Sequence, residues 1–178
     1  IVNPKWIYDP SGYVFEAVES NRLQGVEARV LYLNPATGTW EVWHDAEDYD
    51  QINPQQTDAE GKYGWDVPEG KWKVVWIKDG YETASSSELE VPPPHFDVNM
   101  GLISKAAPEI AAVTAVVSSG GDYVDVKFTQ YVQTSIPLQA DTIVVKDASG
   151  NVLEGAAAYV NAQNSPNGES LSRTLRFT

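Results

Sequence analysis

The densest chemical capacity in the chain lies in "HDAEDYDQINPQQTD", His44 to Asp58, where Asp45, Glu47, Asp48, Asp50 and Asp58 put five carboxylates into one short segment. Calcium takes six to eight oxygens, so these five are its candidate ligands. Their spacing is not the Asp-x-Asp-x-Asp-Gly order that wraps a loop around the ion, and a solvated acidic loop is the expectation. His44 and His95 are too far apart in sequence to form a His-x-x-x-His pair, and zinc needs three or four converging donors. The chain has no cysteine, which removes disulfides, thiolate ligands and cysteine nucleophiles together. Ser85, Ser86 and Ser87 lack the glycine-flanked elbow that exposes a catalytic serine. No segment sets two carboxylates across a cleft as glycoside hydrolysis requires. The expectation is a chain that is not an enzyme and holds no cofactor.

The second chemical resource is aromatic. The stretch "TDAEGKYGWDVPEGKWKVVWIKDGYE", Thr57 to Glu82, gathers Tyr63, Trp65, Trp72 and Trp76 around two acid-and-glycine turns. Tryptophans in a solvent-facing row stack on sugar rings, and Trp40, Trp43, Trp65 and Trp72 are the candidates for that role. The competing role is a hydrophobic core, which large aromatics usually supply. In "KWKVVWIK" alternation puts Trp72, Val74 and Trp76 on one face and Val75 and Ile77 on the other, the pattern of a strand covered on both sides. Core packing is therefore expected. Tyr63, Trp65 and Val67 share a face and would meet Trp72 if residues 67–71 closed a hairpin.

These residues must be positioned by strands. Short runs rich in Val, Trp and Tyr, bounded by Gly, Pro, Asn and Asp, dominate the 178 residues, and helix signals are thin. The expected strands are 6–9, 12–17, 26–33, 39–43, 62–67, 71–78, 87–91 and 95–102, then 109–118, 123–129, 142–147, 151–155, 156–162 and 172–178. Composition changes between the two sets. All six tryptophans and both histidines precede Pro108, and residues 1–104 carry 18 acidic against 7 basic side chains, a net of −11. Residues 105–178 carry 7 against 5, a net of −2. The reading is all-β, with two tandem β-sandwich domains at 1–104 and 105–178. An overall charge of −13 with no basic run argues against nucleic acid and anionic membranes as partners, because phosphate binding needs clustered Lys and Arg. No apolar stretch reaches the length of a membrane span. The opening residues are neither basic nor continuously apolar, so the chain reads as an internal piece of something longer.

The segments "DPSGYVFEAVESNRLQGVEARVLYL", "TDAEGKYGWDVPEGKWKVVWIKDGYE" and "LEVPPPHFDVNMGL" resemble, in that order, a carboxypeptidase-regulatory-like (transthyretin-like, or prealbumin-like) β-sandwich over about residues 6–102. The remainder, from "APEIAAVTAVVSSGGDYVDVKFTQYV" to "SLSRTLRFT", resembles a bacterial Ig-like domain of the S-layer type, with Val132 where a Met is usual. Such domains continue past a strand like the one at 172–178, so the resemblance implies a missing strand and an open C-terminal edge that a strand-completing chain could pair. The resemblance to surface sandwiches also raises an isopeptide link, for which Lys5 and Asn99 are the pair, although Lys5 sits outside the apolar alternation and no buried carboxylate partner is identifiable. Together the two resemblances imply an extracellular or cell-surface bacterial protein. In it this chain would be a non-catalytic structural, spacer or accessory region beside neighbouring domains of the parent. The alternatives are a carbohydrate-binding module that holds a polysaccharide through exposed tryptophans, and an adhesin segment that binds a protein by strand addition.

Overall fold

The computed structural model describes residues 8–178. Among these residues the chain is all-β, with one short 3₁₀ turn. Contacts divide it into two compact units, residues 1–106 and 107–178, each with its own sheets. Lys5 and Trp6 lie outside the described residues.

Among its described residues the first unit contains ten strands: β1 (Ser11–Glu16), β2 (Val18–Arg22), β3 (Glu27–Asn34), β4 (Thr39–Val42), β5 (Gln55–Gln56), β6 (Lys62–Gly64), β7 (Gly70–Ile77), β8 (Ala84–Ser85), β9 (Leu89–Val91) and β10 (Met100–Gly101). One sheet runs β10-β1-β2, with β6 also on β1; the other runs β4-β3-β7-β8, with β5 on β3 and β9 on β7. The β10–β1 pair is parallel and the other pairs are antiparallel. Strands β2, β5 and β8 were not expected, being too short or too polar for alternation to register.

The core lies between these two sheets. Val14 from one sheet and Val30, Val74 and Trp76 from the other are fully buried. Alternation placed Trp72, Val74 and Trp76 on the inner face correctly, and β7 alternates buried and half-buried residues from Trp72 to Ile77. The expected covering of its other face does not occur: Val75 and Ile77 stay half-buried. On that sheet the Lys73 ammonium lies 4.6 Å from the centre of the Trp40 ring. The expected hairpin across 67–71 is also absent, because β6 pairs with β1. Tyr63 instead meets Trp76 from the opposite sheet, with ring centres 5.8 Å apart in an edge-to-face arrangement. The aromatic residues of the 57–82 segment thus join two sheets rather than two adjacent strands.

Turn chemistry fixes where β6 starts. Asp58 Oδ1 accepts from the backbone N–H groups of Glu60 and Lys62, each at 2.9 Å, and Gly61 takes φ +71°. A Cβ on Gly61 would stand 2.5 Å from the Val14 carbonyl oxygen, so only glycine fits. Inside the core, Thr57 accepts from Val26 N at 2.9 Å and donates to Leu23 O at 2.6 Å, tying the approach to β6 onto the start of β3.

The second unit adds β11 (Ile110–Val116), β12 (Tyr123–Gln133), β13 (Ala157–Val160), β14 (Gln163–Asn164) and β15 (Ser170–Phe177). They form one antiparallel sheet in the order β11-β12-β15-β13, with β14 also on β15. The segments 142–147 and 151–155 form no strands and are joined by the Lys146–Val152 bridge and by backbone hydrogen bonds from Asp147 N to Asn151 O and from Leu153 N to Val145 O, each at 2.9 Å. The C-terminal strand is not an open edge either. β15 is flanked by β12 on one side and by β13 and β14 on the other. The edges of this sheet are β11, which bonds only to β12, and on the other side β13 and β14, which bond only to β15.

Candidate functional site

Three of the four tryptophans singled out for sugar stacking are interior. Trp43, Trp65 and Trp72 are 3%, 2% and 3% exposed, whereas Trp40 is half-buried on the outer face of its sheet. The structure brings two of them together: Trp43 and Trp72 pack edge to face with centres 5.4 Å apart. Tyr49 and Tyr32 extend the cluster, Tyr49 lying 5.4 Å from Trp43 and Tyr32 6.1 Å from Trp72. Trp65 belongs to a separate contact with Tyr63 at 5.5 Å.

The Trp43–Trp72 pair lies beneath a cleft of about 390 Å³ in the first unit. Its walls come from the end of β3 (Tyr32, Leu33, Pro35), the start of the 3₁₀ turn Asp45–Tyr49, and the connection Pro68–Gly70 leading into β7. Each wall is fixed by a specific bond. The Trp72 indole N–H donates to Pro68 O at 2.9 Å, and the Tyr32 hydroxyl donates to Glu41 Oε2 at 2.8 Å. Asn53 accepts from Val30 N at 3.0 Å and donates to Val30 O at 2.9 Å and Trp43 O at 3.0 Å, holding the chain beyond β4 against β3. Sequence reading missed Asn53, because an Asn before a Pro reads as a turn and not as a brace.

No family model matches the chain, and no curated protein matches it.

The polar groups around the cleft divide into committed and uncommitted. Glu41 accepts from Tyr32, from Asn34 at 3.0 Å and from Thr39 at 3.2 Å, and the Tyr32 hydrogen bond first, then Asn34, holds its carboxyl below the usual range. The same bond raises the Tyr32 phenol. Lys71 pairs with Glu88 at 2.8 Å. Asp45 and Glu69 have neither a hydrogen bond nor an ion pair among the described residues. Elsewhere in the core, burial pushes the Tyr63 phenol well above its ordinary range, opposed by the neighbouring Trp76 indole.

The calcium candidates do not converge. Asp45, Glu47 and Asp48 lie on the 3₁₀ turn, Asp50 closes it in the left-handed conformation, and Asp58 is occupied by its own turn. Among the described residues no group of three or more His, Cys, Asp or Glu side chains is arranged to hold a metal ion. His95 meets the Glu90 carbonyl through Nε2 at 2.8 Å, and His44 is exposed. Asn99 accepts from Tyr13 N at 2.9 Å, tying the approach to β10 onto β1.

Proposed function

We propose that the chain is a non-catalytic structural and accessory region, a spacer carried by a large secreted or cell-surface bacterial protein. The observation that carries this reading is the placement of the aromatic residues. Trp43, Trp65, Trp72 and Trp76, the groups best suited to a ligand platform, are each 3% exposed or less and pack in the core. Large aromatics at such positions stabilise the fold by burial rather than by meeting a ligand. The resemblance of the chain to surface sandwiches supports the location.

Tryptophan emission and acrylamide quenching, with and without a panel of soluble polysaccharides, test it. Blue-shifted emission that is weakly quenched and indifferent to every glycan is the expected result. A red-shifted emission that moves on adding one glycan would replace the spacer with a carbohydrate-binding module.

One observation favours a second reading, strand addition from a protein partner. The edge strand β11, "IAAVTAV", bears no charge and no proline, the two devices that usually block edge pairing, and Ile110 and Val113 are 64% and 62% exposed. Hydrogen exchange distinguishes it: a partner strand slows the β11 amides. Equal exchange with and without the neighbouring segments of the parent protein removes this reading.

A further inference from the structure

We infer that the cleft over Trp43 and Trp72 is a docking site for a cationic side chain, arginine in the first place, presented by an extended segment of a partner protein. This goes beyond the spacer reading, since a spacer needs no such site. Three features of the cleft converge on the same ligand chemistry.

The first is shape. At about 390 Å³ the cleft lies at the small end of the range that holds ligands, and Tyr32, Pro35 and Pro68 give it apolar walls. The hydrogen bonds from Trp72 to Pro68 and from Tyr32 to Glu41 fix those walls before any ligand arrives. An aliphatic stem fits against walls of this kind while its polar head stays at the mouth.

The second is uncommitted polarity. Asp45 and Glu69 line the cleft without any partner among the described residues, and the one cation beside them, Lys71, is engaged by Glu88 at 2.8 Å. Trp43, only 3% exposed, forms part of the cleft floor. The cleft therefore offers two carboxylates above an apolar floor. An arginine residue supplies the complement: a planar fork of N–H donors for carboxylate, on an aliphatic stem for the apolar walls. Lysine brings the charge without the fork and should bind more weakly.

The third is the surrounding field. Residues 1–104 carry a net charge of −11, which draws cations toward the first unit from a distance. A neutral glycan would gain nothing from that field. It would also find no open ring, because Trp43 and Trp72 are packed against each other and buried.

The test is a titration of the whole chain, with its tryptophan indoles labelled by nitrogen-15, with the peptide acetyl-Ala-Arg-Ala-amide. The Trp43 resonance is assigned from a Trp43→Phe variant. The expected result is a saturable shift of that resonance, with affinity falling in the order Arg, Lys, Ala at the central position. Raising salt from about 0.05 to about 0.5 M should weaken the Arg response, as the Debye length shrinks from above 10 Å to below 5 Å. The double variant Asp45→Asn, Glu69→Gln should weaken binding about tenfold, the effect of losing two exposed ion pairs. Both side chains are exposed, so the variant keeps its fold, and unchanged resonances from the other indoles verify this. A control variant, Glu47→Gln with Asp48→Asn, removes equal charge from the same 3₁₀ turn outside the cleft lining and should change affinity less than about twofold, as charge at a distance acts mainly through screened fields. The inference is overturned by the absence of a Trp43 shift at saturating peptide, by equal responses to Arg and Ala, by equal losses in the two double variants, or by a saturable response to a neutral oligosaccharide in place of the peptide.

Discussion

The two units are written in the same alternating strands and tight turns, yet they bury their residues differently. Among the described residues, the first unit gathers fifteen buried ones in one cluster between two sheets, and the second buries only Val126, Leu171, Ser172 and Leu175 on a single sheet. Alternation makes a strand, but two sheets about 10 Å apart close only when side chains reach across the gap. In the first unit Tyr63 and Trp76 make that reach from opposite sheets. The second unit uses its aromatics elsewhere: the Arg176 guanidinium lies 3.7 Å from the centre of the Tyr123 ring, and Arg173 lies 5.7 Å from that of Tyr131. Its remaining apolar side chains are mostly Ala and Val, and Val113, Val117 and Val152 stay exposed at 62%, 85% and 63%.

The largest expected effect tests the aromatic bridge. Trp76 is fully buried, and Trp76→Ala should destabilise the first unit by about 3–5 kcal/mol through lost burial and the cavity left behind. Denaturant unfolding followed by tryptophan fluorescence measures this selectively, since every tryptophan precedes residue 108. A loss below about 1 kcal/mol would mean that the two sheets do not depend on the bridge. Next in size is Leu175→Ala, which removes one of the few buried side chains of the second unit and should cost about 2–3 kcal/mol, the lower part of the range for a Leu truncation. Hydrogen exchange of the β12 and β15 amides reports it. An equal effect on the first unit's fluorescence transition would refute separate accounting for the two units.

Legibility in the sequence follows the same division. The all-β class, the inner face of β7 and the Asp58–Gly61 turn could be read from alternation and turn residues, because each is decided locally. The β6–β1 pairing could not: residues 67–71 look like a hairpin, and only the bonds between Tyr8 and Val67, at 2.8 and 2.9 Å, together with the Gly12–Tyr63 register show that the chain crosses to the other sheet. The open C-terminal edge expected in the second unit is absent for a related reason. The residues at 170–177 carry the same alternation at an edge or in the middle of a sheet, and partners on both sides, β12 and β13, place β15 inside. Of the cleft, Trp43, Trp72 and Asp45 were already marked as chemically capable, though for sugar and calcium. Their convergence with Glu69 and Pro68 depends on non-local pairing of β3 with β4 and β7, which no local pattern encodes.

A smaller effect comes from pH. Asp125 receives a two-armed hydrogen bond from Arg176 at 2.7 and 2.8 Å, which holds its carboxyl below the usual range, and Asn151 together with backbone N–H groups does the same for Asp147. A carboxylate lowered in the folded state contributes stability that is complete above its unfolded pKa and is lost as pH falls through the folded value. In the first unit two shifts oppose each other: Glu41 is lowered, mainly by Tyr32, whereas burial, aided by Asp66, raises Asp9 and makes acid relieve a penalty there. Acidification below about pH 4, the ordinary carboxylate range, should therefore weaken the β12 and β15 amide protection before the tryptophan transition moves. Asp125→Asn should flatten the second unit's pH dependence, and an unaltered profile would show that the Arg176 pair contributes nothing.

The smallest effect is the sharpest statement about the second unit. Val113 is 62% exposed on the edge strand β11, so Val113→Ala removes little buried surface and should change stability by less than about 0.5 kcal/mol. In the first unit Val74, fully buried at the centre of β7, loses two methyl groups in the same substitution and should cost about 2 kcal/mol, from roughly 0.8 kcal/mol per buried CH₂ with a cavity term added. The substitutions are identical in chemistry, and only burial differs. A cost at Val113 approaching that at Val74 would mean that β11 is covered in solution, with a bound strand or a second copy of the chain as its cover. Sedimentation velocity on the same sample separates those two, because only self-association makes the effect depend on concentration.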